Sequence, residues 1–211
     1  MRIMLEIIRC PSCQTERLRP TMASGNTFGS SAYSDGRFDA PMYMRSPYIV
    51  KCPACKVFYK IEKQSKDENA VVRGYANIQD KRPHVRFLTV KQSMQAIGEG
   101  LFNGSEEGSG EWVEDMLRLR VELWWAFNKK PRKDRENDAY NDNCHALLQL
   151  LADRAGDVDL LRRAELSRNI GLFDECRQLL GQIEDAEKYE KYIAAIKKAA
   201  EQGNLYTVRV K

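Results

Sequence analysis

Two Cys-Pro-x-Cys motifs constrain this chain more than any other feature of its sequence. They are Cys10-Pro-Ser-Cys13 and Cys52-Pro-Ala-Cys55, in a chain of 211 residues with six cysteines. Two residues between the cysteines let the backbone turn tightly, so that both sulfurs of a motif can reach one metal ion. Two such motifs supply the four soft ligands that a tetrahedral zinc site requires. The spacing therefore predicts one structural Zn²⁺ bound by Cys10, Cys13, Cys52 and Cys55.

Other uses of these four cysteines fit the sequence less well. Disulfides belong to secreted proteins, and the short apolar N-terminal run carries Glu6 and does not resemble a secretory signal. A redox dithiol is usually a single CxxC that opens a helix. A catalytic zinc keeps an open position and usually has a His or carboxylate ligand. A structural site remains, with zinc as the expected metal and iron as the open alternative.

Short apolar runs beside the motifs predict a small antiparallel β module of the zinc-ribbon type. These runs are Ile3–Ile8, Tyr48–Val50 and Val57–Ile61. The insert between the motifs, Gln14–Lys51, is longer than a minimal ribbon requires and contains several turn signals. We expect one or two extra strands in it, built onto the ribbon sheet, at Thr27-Phe28 and at Ala32-Tyr33-Ser34, with a hairpin tip at Ser34–Arg37.

The insert is also rich in aromatic and Met residues and in arginines. The apolar set is Phe28, Tyr33, Phe38, Met42, Tyr43, Met44 and Tyr48, and the arginines are Arg17, Arg19, Arg37 and Arg45. Two interpretations are open. The aromatic residues cover a small sheet beside the metal, or they stack on bases while the arginines contact phosphates.

The order of these motifs resembles a group of uncharacterised bacterial proteins. The segment CPSC…GNTFGSSAYSDGRFDAPM…YIVKCPACKVFY, roughly residues 10–62, carries a CPxC, an NTFG-type turn, an SDG, an APM and a second CPxC in the order of that group. The resemblance implies a zinc ribbon with a decorated loop, and it implies no activity.

The rest of the chain is predicted to be mostly helical. A strand over 84–90 and a short helix capped by Thr89 precede five helices, at about 111–128, 142–154, 157–170, 173–183 and 187–202. Asp157 is the expected N-cap of the third of these helices, and Gly171 is its expected C′ residue. The third and fourth helices resemble a tetratricopeptide hairpin, with Ala164 and Cys176 at its small-residue positions.

These patterns predict an α+β protein with three parts. Residues 1–66 form the ribbon with its insert, residues 67–110 connect, and residues 111–211 form a helical, repeat-like domain. Polar segments at 62–70 and 103–110 are the expected linker and loop. The C-terminal tail is expected to pair as an edge strand or to drape over the helices.

Charge and motif content limit the function. The chain has 34 Lys and Arg against 30 Asp and Glu, a net charge of +4 that excludes a polyanion-coating protein. No apolar run reaches the roughly 18 residues of a membrane span. No nucleotide-binding or hydrolase motif is present, and Cys144-His145 lie on different helix faces, so we expect no enzyme. The expected role is a cytoplasmic, non-catalytic zinc protein that binds a protein partner, for example one that it neutralises. Weak nucleic-acid binding through the ribbon is the alternative, and no small-molecule substrate is evident.

Overall fold

The computed structural model describes residues 2–43, 45–61, 72–76, 79–99, 108–131 and 138–211. The described residues form eight strands and six helices, an α+β layout with antiparallel strand pairs in the N-terminal part. The strands are β1 (Arg2–Arg9), β2 (Glu16–Ser24), β3 (Ser31–Tyr33), β4 (Phe38–Asp39), β5 (Ile49–Lys51), β6 (Phe58–Lys60), β7 (Val72–Ala76) and β8 (Arg209–Val210). The helices are α1 (Val90–Glu99), α2 (Gly110–Asn128), α3 (Asp138–Leu150), α4 (Asp157–Asn169), α5 (Phe173–Leu180) and α6 (Ala186–Glu201).

The chain divides into two compact units. The first unit contains Met1–Gly29 and Ala40–Leu119, and the second contains Ser30–Asp39 and Arg120–Lys211. This division differs from the expected boundaries at 66 and 110 in two ways. The middle of the insert belongs to the second unit, and α2 is shared between the units. Tertiary hydrogen bonds of the segment 30–39, described below, are the reason, and they leave no mark on the local sequence.

In the first unit, β1 lies at the centre of a three-stranded sheet in the order β2-β1-β7. The apolar run Ile3–Ile8 becomes β1, as predicted, and it pairs antiparallel with β2 from Arg9↔Glu16 to Arg2↔Ser24. The nine-residue strand β2 has no counterpart in the sequence prediction, because Pro20 lies in the middle of its alternating run. The proline is tolerated since β2 is at the edge of the sheet. The second motif lies between β5 and β6, which pair antiparallel as predicted.

Two strand predictions in the first unit are wrong. Thr27-Phe28 lies outside the strands and enters a turn, whose Gly29 has φ of 70°. The segment predicted as a strand over 84–90 contributes a single parallel bridge, Leu18↔His84, before Val90 opens α1. A reciprocal cap overrides its β pattern, because Gln92 N donates to Thr89 Oγ1 while Thr89 N donates to Gln92 Oε1. The capping role predicted for Thr89 is therefore confirmed.

The second unit is built from α3 to α6 and the later part of α2. Its helices agree with the predicted ones within a few residues, and α4 packs on α5 with Ala164 and Cys176 fully buried in one apolar cluster. Gly171 has φ of 85°, as its predicted C′ position requires. The predicted N-cap is wrong, since Gly156 occupies that position. Asp157 instead accepts hydrogen bonds from the amides of Glu184 and Asp185.

A small sheet in the order β4-β3-β8 completes the second unit. The hairpin predicted from Ser34-Asp35-Gly36-Arg37 is present, with Gly36 at φ of 76° and Gly36 N donating to the Tyr33 carbonyl. The tail forms the edge strand β8, in which Val210 pairs with Ala32 and Arg209 with Tyr33. Of the two arrangements open for the tail, the structure therefore has the edge strand.

Some expectations fall outside the described residues. The linker at 62–70 and most of the loop at 103–110 are among them, as is Met44. Within the described part of the chain, no helix has the length and apolar character that crossing a membrane requires.

Candidate metal centre

The four cysteines predicted from the two motifs come together in the first unit. The Sγ atoms of Cys10, Cys13, Cys52 and Cys55 all lie within 4.8 Å of one another. The closest pairs across the motifs are Cys10 with Cys55 at 3.6 Å and Cys13 with Cys52 at 3.5 Å. Zn–S bonds of about 2.3 Å in a tetrahedron place sulfurs about 3.8 Å apart. The cluster therefore has the size and donor set of a four-thiolate metal site, and it is the one such group of three or more candidate ligands among the described residues.

The two motifs have the same backbone hydrogen bonds. In the first, the Cys10 amide donates to the Thr15 carbonyl at 3.0 Å, and the Gln14 amide donates to the Cys10 carbonyl at 2.9 Å. In the second, the Cys52 amide donates to Val57 and the Lys56 amide donates to Cys52, at 2.9 and 3.1 Å. These bonds fold each motif into a tight turn, so the short sequence pattern alone positions each pair of sulfurs.

The residue after each motif adopts a left-handed backbone conformation. Gln14 has φ of 59° and Lys56 has φ of 68°. Each side chain reaches back to the proline of its own motif, with Gln14 Nε2 donating to the Pro11 carbonyl at 3.1 Å and Lys56 Nζ donating to the Pro53 carbonyl at 2.6 Å. Left-handed backbone costs a non-glycine residue about 1–2 kcal/mol. Both motifs therefore accept local strain to complete the same turn.

The thiols sit in different electrostatic environments. Hydrogen bonds from the side chain and backbone of Thr15 lower the pKa of Cys13 to about 6. Burial raises the pKa of Cys10 to about 12, although the amides of Cys13 and Ser12 oppose the shift by donating to its sulfur. Metal binding requires deprotonated thiols, so loading this site releases protons.

The cysteines are part of the apolar core of the first unit. Cys10 and Cys52 are fully buried in a cluster with Ile8, Val50 and Tyr59, and Cys55 packs against it. A small β module has too little apolar surface to be stable without further cross-links. A metal at this position would join two motifs separated by a 38-residue insert.

The insert arginines proposed as phosphate contacts are mostly engaged within the protein. Arg17 and Arg37 are only 7% and 5% exposed. Arg17 donates to two main-chain carbonyls, and Arg37 lies 4.0 Å from the centre of the Tyr33 ring and pairs with Asp39. Arg19 pairs with Glu6 at 3.5 Å. Sequence cannot distinguish such an arginine from a surface one, because its partners lie elsewhere in the chain.

The apolar residues of the insert divide into two sets. Tyr33 and Phe38 are half-buried in the small sheet of the second unit. The strand predicted there and its aromatic side chains therefore do not belong to a sheet of the unit that holds the four cysteines. Tyr48 of the first unit is also half-buried, and its hydroxyl donates to Asp115 at 2.8 Å. Phe28, Met42 and Tyr43 of the first unit are 80%, 44% and 46% exposed. The structure thus leaves three large apolar side chains of the insert in contact with solvent.

The second unit contains a buried polar network that the sequence analysis missed. Glu165 and Arg168 are fully buried and form an ion pair on the inner face of α4. Ser34 Oγ donates to Glu165 at 2.6 Å, and Arg168 donates to the carbonyls of Asn204 and Tyr206. This network joins the insert hairpin and the tail to α4. One signal in the sequence could have revealed this network. Glu165, Arg168 and Asn169 are polar residues at positions i, i+3 and i+4 of a predicted helix, so they share one face.

The two remaining cysteines lie outside the metal cluster. Cys144 and Cys176 are both fully buried. Burial raises the pKa of Cys176 to about 11, which leaves it a protonated thiol at neutral pH. Cys176 therefore fits its predicted small-residue position.

Comparison of the chain with protein-family models, with curated proteins and with solved structures found no match.

Proposed function

We propose that this chain is a non-catalytic zinc-binding protein of the zinc-ribbon type, which presents a surface for a protein partner. The four-sulfur cluster carries the first part of the proposal. When all four ligands of a zinc ion are thiolates, the tetrahedral shell is full and no position is left for a substrate. Such a metal supplies cross-linking rather than Lewis-acid chemistry, and the reduced thiols suit a cytoplasmic protein.

Metal analysis of the purified protein tests the site. We expect one zinc per chain, and we expect Cys52→Ser to lose it together with much of the stability of the first unit. The matched control is Cys144→Ala, which removes a buried thiol outside the cluster and should retain one zinc. A Cys52→Ser variant with a full zinc equivalent and unchanged melting would contradict the assignment. If the analysis finds one iron per chain instead of zinc, the metal in the proposal changes but the closed shell of four thiolates does not.

Exposed apolar side chains support the protein-binding part of the proposal. Phe28, Met42 and Tyr43 form what we call the loop surface of the first unit. Their two loops are adjacent, because a Cβ at Gly29 would lie 3.6 Å from Pro41 Cγ. Contiguous exposed apolar surface is uncommon on monomers and marks interaction sites. The proposed partner is a protein with an apolar pocket that accepts Phe28 as its anchor.

A photo-crosslinking amino acid at position 28 tests this surface in cells. The matched control carries the same group at Val158, which is 51% exposed on the second unit. We expect one partner to cross-link from position 28 and not from position 158. With that partner purified, Phe28→Asp should weaken binding at least tenfold, whereas Val158→Asp should leave it unchanged. Equal affinity of the two variants would refute the loop surface.

Nucleic-acid binding through the insert has less support. It requires arginines that reach phosphates, and two of the four, Arg17 and Arg37, are buried. Affinity of this kind depends steeply on salt, with a log–log slope of about −0.7 to −0.9 for each neutralised phosphate. We therefore expect the insert to contribute no sub-micromolar, salt-sensitive affinity for DNA or RNA.

A further inference from the structure

A cavity of about 530 Å³ opens beside the second Cys-Pro-x-Cys motif. Three segments of the first unit form its wall: Arg17 on β2, the motif region from Lys51 to Lys56, and the segment 86–92 that leads into α1. Its volume lies within the range of about 300–1,000 Å³ that is typical of small-molecule sites. The cavity is therefore large enough for an organic ligand rather than a single ion.

Of the described residues, four cations and no carboxylate line this cavity. They are Arg17, Lys51, Lys56 and Arg86. Cys52 also lines it, and a zinc ion with four thiolates carries a formal charge of −2. The cations exceed that charge by two, so the cavity of the metal-loaded protein is positive and attracts anions.

The hydrogen bonds of these cations leave their charges uncompensated. Arg17 donates to the carbonyls of Lys51 and His84, at 3.0 and 2.8 Å. Lys51 Nζ donates to the side-chain amide of Gln95 at 2.9 Å, and Lys56 Nζ donates to the Pro53 carbonyl. Every one of these acceptors is neutral. Among the described residues no carboxylate pairs with these cations. Arg17 is buried and donates to two carbonyls, so it contributes charge only. Lys51, Lys56 and Arg86 are the cations that can reach a bound anion.

The start of α1 adds to the positive field. Thr89 and Gln92 line the cavity and cap this ten-residue helix. A helix N-terminus carries a partial positive charge, and α1 has no acidic residue in its first turn to offset it. The helix end therefore reinforces the four side chains rather than acting alone.

The remaining wall is apolar. Pro53, Phe87 and Leu88 form it, and Phe87 is 44% exposed. The Arg45 guanidinium lies 5.8 Å from the centre of the Phe87 ring. An aromatic side chain beside a cationic wall suits a ligand that joins a flat ring to an anion, because bases stack on aromatic side chains while cations bind phosphate.

We propose that this cavity binds a nucleotide, with its phosphate at the cationic wall and its base against Phe87. The nucleotide is either free or one unit of a single strand. The site needs the loaded metal centre, because the second motif forms part of its wall. It does not depend on the loop surface or its partner.

Isothermal titration of the zinc-loaded protein tests the site with AMP, UMP, inorganic phosphate, adenosine and a five-residue oligouridylate. We expect AMP to bind more tightly than phosphate, and adenosine to bind at least tenfold more weakly than AMP. Arg86→Gln should weaken AMP at least tenfold. Phe87→Ala should weaken AMP and leave phosphate unchanged. The matched control is Arg177→Gln, an exposed arginine of the second unit that should have no effect.

The arms of the titration separate the outcomes. Oligouridylate that binds more than tenfold tighter than UMP identifies a strand, whereas equal affinity identifies the free nucleotide. No binding of AMP or oligouridylate at 1 mM by protein with one zinc per chain would overturn the proposal, as would AMP binding that Arg86→Gln and Lys51→Gln both leave unchanged. Zinc content and the circular dichroism of each variant distinguish loss of the pocket from loss of the metal centre.

Discussion

Glu165→Gln should destabilise the second unit by about 3–5 kcal/mol, the cost of removing one partner from a buried ion pair. Both Glu165 and Arg168 have fully buried side chains. Arg168 donates to both carboxylate oxygens, with Nε at 2.9 Å and Nη2 at 2.5 Å, and Ser34 Oγ donates at 2.6 Å. Asn169 Nδ2 also donates to the carboxylate, at 3.3 Å, so a glutamine offers one acceptor oxygen where four donors converge. Its amide group must then face one of those donors, and Arg168 is left buried without a counter-charge.

Urea unfolding at neutral pH measures this effect. Two tryptophans report on the network directly, because Trp124 donates to Asn169 at 3.1 Å and Trp125 donates to the Asp35 carbonyl at 2.9 Å. With Trp112 of the first unit replaced by Phe, fluorescence follows the second unit. The change in midpoint multiplied by the slope then gives the change in unfolding free energy. Each sample should contain one zinc per chain, so that the first unit contributes equally.

The matched control is Asp174→Asn. Asp174 and Arg177 have the same i,i+3 spacing on α5, but their side chains are 91% and 45% exposed. Exposed pairs contribute about 1 kcal/mol or less. If Glu165→Gln costs no more than this control, the carboxylate charge is not needed. Burial raises the pKa of Glu165 while Arg168 and Ser34 oppose that shift, so this result would mean that Glu165 is protonated in the fold.

Variants at three further positions each probe a single site. Cys176→Ala should lower the unfolding free energy by about 1 kcal/mol or less, whereas Cys176→Leu should lower it by about 1–3 kcal/mol because the apolar cluster around Cys176 has no room for a larger side chain. Rapid labelling of Cys176 by a thiol reagent in the folded protein would contradict this. Gln14→Val should be about 1–2 kcal/mol less stable than Gln14→Gly in thermal melts, since φ of 59° disfavours a β-branched residue. Lys60→Met should lower the unfolding free energy measured in urea by about 3–5 kcal/mol, because it removes the counter-charge of Asp115. The Asp115 carboxylate lies 3.2 Å from the Lys60 ammonium, and both residues are buried. A loss below about 1 kcal/mol would show that Asp115 does not depend on the Lys60 charge.

The sequence predicted the four-cysteine cluster because each motif is a local structure. Four residues and the two after them contain the backbone hydrogen bonds that shape the turn, so spacing alone places the sulfurs of a motif together. The helices of the second unit were predictable for a similar reason. Apolar periodicity and Gly171, whose φ of 85° ends α4, act within one helical turn.

Burial of charge was not predictable in this way. The hydrogen bond between Ser34 and Glu165 joins residues 131 positions apart, and it places part of the insert in the second unit. Arg17 likewise depends on carbonyls 34 and 67 positions away. A charged residue is buried only where polar partners compensate its lost hydration. In these cases the partners are distant in sequence, so the residues adjacent to the charged one give no sign of them.

The cationic cavity is tertiary in the same sense. Its cations come from β2, from the region of the second motif and from the segment before α1. In the sequence, each of these cations is indistinguishable from an ordinary surface lysine or arginine. Local hydrogen bonding therefore allowed the sequence to determine the paired cysteines of each motif and the course of the helices. Only the tertiary structure decided which arginines are buried, which unit holds the insert hairpin, and where uncompensated positive charge gathers, because each of these depends on groups that meet only after the chain has folded.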